Sequence, residues 1–450
     1  MGNNSKIIRR LNILNFIEFA IWGCYLVSMG IYLGRVGMGA HIFWFYTAQG
    51  LVSLFMPAVV GIIADRWIPA QKMLSLCHGM SALFMLCVGW YGLSTPHPEF
   101  GVMFSLYVGA ILFFMPTIGL CNSVAFNALI ENGHSPMKKF PAIRVWGTVG
   151  FICAELFVNF THFADTAAQY IAAGVCGLLM AGYAITMPAC PINKAAGKSL
   201  AERFGLNAFA LFRNRTMALF FIFSMLLGVC LQITNSYGTL YINSFQKIAR
   251  FANDWAAQNA TALTAISQAS EALCILLIPM CIKRFGIKGV IFIAMMAWVL
   301  RFGFFSIGNT GSGVVFLILS CIVYGVAFDF FNVAGGLFVE DQTDSSIRSS
   351  AQGLFMLMTN GLGASIGTFI AGNYVVNKLV NLGEGGNAEA NLVGWEQAWG
   401  IFAAYAFVIG VLFFFIFKTP KNSEKNLSQT EIKEMESISA GDPEGMTEMQ

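Results

Sequence analysis

The chain has 450 residues, of which 57% are hydrophobic and only 11% are charged, and its mean hydropathy is +0.67. These values lie well outside the range of soluble globular domains and indicate an integral membrane protein. The net charge of +3 is small and gives no indication of nucleic acid binding. The eleven Cys and five His residues are scattered singly, so we expect no metal site, disulfide framework or cofactor.

Twelve apolar runs, each long enough to cross a bilayer, predict an all-α membrane fold. Six precede a polar connector and six follow it, which predicts two six-helix halves at 1–188 and 216–417. A cytoplasmic linker is expected at 189–215, and the polar tail at 418–450 has the composition of a disordered segment. The predicted helices 1 to 12 lie near 11–33, 41–64, 72–93, 102–124, 141–162, 167–188, 216–243, 260–281, 289–306, 313–337, 350–377 and 394–417.

Positive charge is concentrated on one side of this predicted topology. The N-terminus, the connections after even-numbered helices, the linker and the tail carry most of the Lys and Arg residues, whereas the other side has only Arg35, Lys247, Arg250 and Lys378. Because cytoplasmic loops retain positive charge, we expect both termini and the linker in the cytoplasm. The first apolar run is too long for a cleavable signal and lacks a small-residue cleavage pattern after it.

Two charged glycine-containing segments are predicted in equivalent loops of the halves. Gly61 to Arg66, followed by Lys72, is expected between helices 2 and 3, with Gly61 permitting a tight turn. The segment resembles the loop signature of the major facilitator superfamily, and Lys283 to Lys288 repeats its character between helices 8 and 9. An ordinary cytoplasmic turn with anchoring charges is the alternative.

Glycine patterns elsewhere give no nucleotide site. Gly197, Lys198 and Ser199 look like the end of a phosphate-binding loop, but Ile192 stands where its first Gly is required. The glycines near 361–367 fall inside a predicted membrane helix, where small residues allow close packing. The sequence therefore shows no nucleotide-hydrolysing site.

Polar side chains inside the predicted spans share helix faces. In helix 5, Arg144, Thr148 and Phe151 are spaced i, i+4 and i+7. Helices 7 and 8 each carry a polar pair at i and i+3, namely Gln232 with Asn235 and Gln268 with Glu271. Such pairs either line a polar cavity or make hydrogen bonds between helices, and Arg144 near the cytoplasmic end can also be a simple anchor.

Predicted helix 10 contains a carboxylate in the middle of an apolar run. Its helical spacing puts Tyr324, Phe328 and Phe331 on one stripe, with Asp329 about a hundred degrees round from Phe328. An aromatic wall beside a buried acid suits a flat, hydrogen-bonding ligand. The alternative is a packed aromatic stripe with Asp329 tied to Arg301 of helix 9. Two further acids, Glu18 in helix 1 and Glu155 in helix 5, also fall within spans.

Several of these segments resemble bacterial nucleoside–proton symporters of the major facilitator superfamily. The resemblance runs from about Ile7 to Lys418 and rests on 144–151, 221–228, 231–235, Ser267 to Glu271, Tyr324 to Asn332 and Ser349 to Leu354. It implies that the nucleoside site is lined by Arg144, Thr148, Phe151, Gln232, Asn235, Gln268, Glu271, Tyr324 and Phe328. It also implies that Asp329 takes part in proton coupling or supports the site, while Glu18 and Glu155 depart from the family pattern. Because Glu271 shares a face with Gln268, we expect it both to contact substrate and to take part in proton coupling.

These expectations describe a transporter rather than an enzyme. We expect a monomer of the bacterial inner membrane that imports nucleosides with protons by alternating access between its halves. A facilitator that moves another polar solute, such as a sugar, would keep the fold but not this polar set. An intramembrane enzyme, a receptor or a channel would need a catalytic cluster, a sensing domain or a pore motif, and the sequence shows none of these.

Overall fold

The computed structural model describes residues 2–191, 206–343, 347–382 and 386–418. Across these ranges the chain forms helices joined by short connections, with no strand. The predicted tail after residue 418 and most of the predicted linker, 192–205, lie outside the described residues, as do the side chains of Asp65 and Arg66.

The first half contains six membrane helices, two of them interrupted. They are α1 (Gly2–Gly23, continued by Met29–Arg35), α2 (Ile42–Arg66, after a 3-10 turn at Gly39–His41), α3 (Ala70–Ser94), α4 (Phe100–Phe114 and Thr117–Glu131), α5 (Pro136–Phe160) and α6 (Ala168–Ile185). The sequence predicts α1 and α4 as continuous helices. Pro116 interrupts α4 because proline has no backbone N–H and clashes with the preceding turn. At the break in α1, the hydroxyl of Tyr46 donates to the carbonyl of Leu26 at 2.6 Å, so this buried carbonyl is satisfied.

The second half repeats this arrangement. A 3-10 segment, Leu206–Arg213, leads into α7 (Arg215–Ser244), which is followed by the short helices Phe245–Lys247 and Trp255–Gln258. Helix α8 begins as Ala260–Cys274. It continues through Ile275–Leu277 into the long helix Ile278–Ile307. The part of that helix after Gly286 is α9. Then follow α10 (Val314–Asp341), α11 (Arg348–Met356, Leu357–Gly363, Ala364–Ile370, Ala371–Val376 and Asn377–Leu379) and α12 (Ala388–Ile416). Two of the α11 segments, Leu357–Gly363 and Ala371–Val376, are π-helical.

The two charged glycine segments differ in backbone conformation. Gly286 has φ 67° and ψ 170°, which ends α8 and starts α9, and glycine adopts this left-handed φ without steric cost. Gly61 instead lies inside α2, which runs to Arg66, so the prediction that it makes a loop turn is wrong. The apolar residues Ile62, Ile63 and Ala64 extend the helix, and the connection to α3 begins only at Trp67.

Length and apolar character identify all the membrane helices of the described ranges except α1. Ten stretches in the described ranges are long and apolar enough to cross a membrane, and one of them, Ala260–Ile307, has 48 residues. Its break at Gly286 makes it two helices, α8 and α9. The N-terminal α1, which carries Lys6, Arg9, Arg10 and Glu18, is not among the ten. With α1 included, this assignment gives twelve helices in the described part of the chain.

The halves use the same close helix crossings. In the first half, a side chain on Gly23 of α1 would meet the backbone of Phe151 in α5, and one on Gly150 of α5 would meet the backbone of Phe16 in α1. In the second half, Gly228 of α7 faces Thr359 of α11 and Gly363 of α11 faces Met225 of α7 in the same reciprocal way. Small residues allow such backbone approach between membrane helices. The matching crossings indicate structurally related halves.

Six side-chain hydrogen bonds join the two halves within the described ranges, toward the end where α1 finishes and α2 begins. Three of them connect α5 with α8 or the residue before it: Asn159–Asn259, Asn159–Ala262 and Glu155–Thr264. Two connect α2, or the turn before it, with α11: Thr47–Ser365 and Ala40–Asn377. The sixth, Gln49–Gln232, connects α2 with α7. The halves are therefore held together at this end, which the charge pattern predicts to be extracytoplasmic.

Candidate substrate site

The predicted polar face of α5 borders α1 and the second half. Arg144 lies eight residues after the start of α5, and its guanidinium carbon is 3.8 Å from the ring centroid of Phe19 in α1. Thr148 is half-buried and Phe151 is buried on the same face. Arg144 is therefore packed against an aromatic ring inside the bundle, which a simple anchor at a helix end does not require.

A charge cluster lies between the halves. Arg144 interacts electrostatically with Glu271 of α8 and Asp329 of α10, and the two carboxylates interact with each other. Among the described side chains, neither carboxylate has an oxygen within 4.0 Å of the Arg144 guanidinium. One cation thus faces two acids without a direct ion pair. Such a group of charges responds to a proton or a polar ligand because either one changes its balance.

A chain of amides connects α7 with the first half. The Asn235 Nδ2 donates to Gln232 Oε1 at 3.3 Å, and the Gln232 Nε2 donates to Gln49 Oε1 at 3.5 Å. Gln49 Nε2 in turn donates to the hydroxyl of Tyr107 in α4 at 2.5 Å. Gln232 is buried and Asn235 is half-buried. The predicted i, i+3 pair therefore hydrogen-bonds within itself and, through Gln49, between helices.

Two acceptor oxygens near the charge cluster have no protein partner. Gln268 Oε1 on α8 and Asp329 Oδ2 on α10 are both buried without a hydrogen bond. Asp329 is only 6% exposed, and Glu271 is half-buried. Because an unsatisfied buried acceptor is costly, these oxygens are suited to a ligand that supplies N–H or O–H donors.

The aromatic wall predicted on α10 is formed by stacked rings. The ring centroids of Tyr324 and Phe328 are 5.7 Å apart with an interplanar angle of 4°. Trp298 of α9 contacts Tyr324 edge-on at 5.9 Å. The third member of the predicted stripe, Phe331, packs against Phe355 of α11 at 5.6 Å. Two parallel rings beside unpaired acceptors match the surface of a flat polar molecule.

Arg301 does not pair with Asp329. Its Nη1 donates to the carbonyl of Ser320 at 2.7 Å and to Ser267 Oγ at 3.4 Å, and its Nε donates to Thr234 Oγ1 at 3.5 Å. Its guanidinium carbon lies 4.4 Å from the ring centroid of Tyr324. Arg301 therefore supports the aromatic wall, and the alternative that ties it to Asp329 is wrong.

The acid of α1 makes its hydrogen bonds inside the first half. Glu18 Oε2 lies 2.8 Å from His78 Nε2 of α3, and Glu18 Oε1 accepts from Thr117 Oγ1 of α4 at 2.6 Å. All three side chains are buried. His78 is thus not the isolated histidine that the sequence predicts, because α1 and α3 meet only in the folded chain.

A small cavity lies beside the aromatic wall in the second half. It is a partly open pocket between α7, α9, α10 and α11, and its cavity volume of about 10 Å³ is roughly that of one water molecule. Its lining is mostly apolar, with amides at one side: Leu227, Gly228, Leu231, Trp298, Ala327, Phe328, Phe331, Asn332, Thr359 and Asn360. Phe328 therefore contacts Tyr324 of the aromatic wall and also lines this pocket.

Sequence reasoning missed Gln49, Tyr107 and Thr264. Gln49 is a single amide in a long apolar run, so no i, i+3 partner marks it. Tyr107 and Thr264 are common in membrane helices and become informative only through their partners. Of these three residues, only Gln49 is marked as a lone amide within a span, and Asn159 and Asn360 share that mark.

The fold and this polar site between two halves define a secondary transporter of the major facilitator fold. The chain belongs to the nucleoside H+ symporter family, because the sequence model of that family matches residues 5–422. It is 42% identical to xanthosine permease of Escherichia coli (strain K12) over 93% of this chain and 98% of that protein. It is 40% identical to the nucleoside permease NupG of the same organism, over 91% of this chain and 95% of the permease.

Solved structures agree with this assignment. The crystal structure of the nucleoside transporter NupG superimposes with a TM-score of 0.82 at 38% identity, covering 92% of this chain and all of that chain. The D-xylose–proton symporter matches with a TM-score of 0.68 at 13% identity, over 93% of this chain and all of that chain, and supports the fold alone. The chain is thus a multi-pass membrane transporter and not an enzyme.

Proposed function

We propose that this protein imports nucleosides together with protons across the bacterial inner membrane, with access alternating between its halves. The observation that carries the proposal is the stacked Tyr324 and Phe328 pair beside the unpaired oxygens of Gln268 and Asp329. Membership of the nucleoside H+ symporter family supports it. The names of the relatives, a xanthosine permease and a nucleoside permease, point to the same class of substrate.

Each part of a nucleoside has a counterpart in this site. The base stacks on Tyr324 and Phe328, and stacking of this kind contributes about 1–3 kcal/mol per base in nucleic acid binders. Ribose hydroxyls and base N–H groups donate to Gln268 and Asn235. Arg144, Thr148 and Phe151 close the site from the first half. Analogues without these donors are rejected because protein acceptors would stay unpaired.

The charge cluster supplies the coupling. A neutral nucleoside moving with one proton carries one positive charge inward, worth about 2.3 kcal/mol per 100 mV of membrane potential. Each pH unit of gradient adds about 1.4 kcal/mol. In this scheme Asp329, buried with one unpaired oxygen, carries the proton, while Glu271 both contacts substrate and responds to its presence.

The remaining features of the proposal concern placement in the membrane. Both termini and the linker at 189–215 lie in the cytoplasm, and the halves are 1–188 and 216–417. The excess of positive charge on that side supports this orientation. We propose that the monomer is the working unit, because substrate, proton site and both halves belong to one chain.

Uptake into proteoliposomes with a panel of labelled solutes tests the function. We expect accumulation of nucleosides under an inward proton gradient, competition by other nucleosides, and no competition by free sugars or free bases. Collapse of the gradient with a protonophore should abolish accumulation. Transport of a sugar that nucleosides do not inhibit would instead support the facilitator of another solute.

A further inference from the structure

Glu155 joins the two halves and has no part in the substrate site described above. It lies in α5 and is 0% exposed. Its Oε1 accepts a hydrogen bond from Thr264 Oγ1 of α8 at 2.9 Å, while its Oε2 is buried without a partner. Because α5 and α8 belong to different halves, this hydrogen bond lasts only while the halves meet here.

Glu155 is part of a polar contact that we term the α5–α8 gate. One turn further along α5, Asn159 Nδ2 donates to Asn259 Oδ1 at 2.9 Å, and Asn159 Oδ1 accepts from the backbone N–H of Ala262 at 3.2 Å. The gate therefore consists of Glu155, Asn159, Asn259, Ala262 and Thr264. It lies on the face of α5 that also carries the substrate-site residues, toward the end where the halves are joined.

Among the residues that the structure describes, no cation pairs with the Glu155 carboxyl group. The titratable side chains that interact with it are Cys321 and Tyr324 of α10, and α8 presents the hydroxyl of Thr264. Arg301 of α9 directs its hydrogen bonds to other partners. Across the described parts of the chain, no Lys, Arg or His nitrogen lies within 4.0 Å of Glu155.

We propose that Glu155 is a second proton-binding site, and that its proton allows the α5–α8 gate to close. An ionised carboxylate sealed here with a single hydrogen bond and no cation would be strongly destabilising. Parting of the halves admits water, which removes this cost. Closure of the gate and binding of a proton therefore favour each other.

The gate proton differs from the transported proton. Glu155 exchanges with the side that opens when the gate parts, so it takes a proton from that side on closing and returns it there on opening. The cycle moves no net charge through Glu155. External acidity then shifts the equilibrium toward the gate-closed state without changing the transport stoichiometry. The inference rests on the alternating access of the proposed function.

Labelling of a buried reporter cysteine tests the proposal without substrate. Ser236 of α7 is 1% exposed, and its backbone packs against Gly30 of α1 near the joined end, so Ser236→Cys becomes reactive when the halves part there. The rate at which an impermeant maleimide labels this cysteine is measured between pH 6 and 8, and mass spectrometry distinguishes it from the other cysteines. Dividing by the rate at an exposed Ser94→Cys removes the intrinsic pH dependence of thiol reactivity. We expect the ratio to rise with pH, by at most about ten-fold per unit for one proton.

Three variants, each made in the Ser236→Cys protein, test whether the pH dependence of labelling comes from the proton on Glu155. Glu155→Gln, which is neutral at every pH, should give a low ratio that does not change with pH. Thr264→Val should raise the ratio throughout while keeping the pH dependence. Glu18→Gln, a matched buried acid within one half, should behave as the unmodified protein. The proposal would be overturned if the labelling ratio did not change with pH in the protein that carries only the reporter cysteine. It would also be overturned if Glu155→Gln left the pH dependence of that ratio unchanged.

A second measurement distinguishes the two proton sites. In proteoliposomes, Glu155→Gln should slow initial uptake but reach the same steady-state accumulation ratio as the unmodified protein. If Glu155→Gln could no longer accumulate nucleoside, Glu155 would instead be the site of the transported proton. That result would contradict its proposed role in the gate. If no nucleoside is transported at all, the proposed function fails, whereas the labelling result still stands by itself.

Discussion

Hydrogen bonding divides the polar residues of the spans into two groups. Both carboxyl oxygens of Glu18 are paired within the first half, with His78 and Thr117, and Arg301 donates to carbonyl and hydroxyl groups around it. Gln268 and Asp329 instead keep unpaired acceptors. Unpaired groups mark places where a ligand or proton completes the bonding, whereas saturated groups hold helices together.

Four polar residues of the second half are expected to form one binding surface. Replacing Gln232, Asn235, Gln268 or Glu271 with Ala should weaken nucleoside binding by about 1–3 kcal/mol, roughly five- to more than a hundred-fold. Calorimetry on purified protein measures this. Gln258→Ala, an exposed amide on the joined side, serves as the control and should bind normally. Unchanged affinity in all four variants would return these residues to helix packing alone.

The acids of the charge cluster should have separable roles. Asp329→Asn should abolish accumulation driven by a proton gradient while keeping equilibrium nucleoside binding, because it removes the proton carrier but keeps a polar side chain of similar size. Glu271→Gln should impair both, since Glu271 is also expected to contact substrate. Proteoliposome uptake under imposed gradients, paired with binding, measures the two effects. Full accumulation by Asp329→Asn would eliminate it as the carrier.

At the scale of elements, apolar run length predicts where helices lie but not where they break. The predicted helices 2, 3 and 5 correspond closely to α2, α3 and α5. The interruption of α1, where Tyr46 of α2 bonds the carbonyl of Leu26, and the π-helical segments of α11 leave no signal in run length. The Glu18–His78 contact likewise joins residues 60 positions apart, which no local pattern records. Spacing within one helix could predict polar faces, but not their partners.

Close crossings between helices should be sensitive to single methyl groups. Gly150→Ala places a Cβ against the backbone of Phe16, and backbone cannot move aside as a flexible side chain can. Overpacking of this kind costs about 1–3 kcal/mol. Thermal unfolding in detergent should therefore show a lower Tm. Gly182→Ala in α6 is the matched control, because nothing lies within 4 Å of its added Cβ. Equal Tm values for the two variants would contradict the crossing.

At the scale of the whole molecule, the joined end and the charge pattern together define a direction. The six hydrogen bonds between the halves lie toward the end where α1 finishes, and the Lys- and Arg-rich segments belong to the opposite end. If that opposite end faces the cytoplasm, the structure is closed to the outside. Exchange of substrate with the outside then requires these hydrogen bonds between the halves to break.

Cysteine labelling in intact cells tests this direction. In a cysteine-free background, Ser199→Cys in the linker and Ser428→Cys in the tail should be protected from an impermeant thiol reagent. Asn309→Cys, in the connection between α9 and α10, should be labelled because it lies on the opposite side. Permeabilised cells provide the control in which all three react. Labelling of the linker from outside would overturn the orientation.

The amide chain from Asn235 to Tyr107 has a sense of direction. Each of its three hydrogen bonds is donated toward Tyr107, so the bond dipoles add head to tail across both halves. The chain accordingly ends in an acceptor at Asn235, where a substrate hydroxyl would extend it as one more donor. A substrate acceptor there could use only the second N–H of Asn235, because the first is donated to Gln232. The strength of the Asn235 acceptor therefore depends, through these aligned bonds, on a tyrosine in the other half of the molecule.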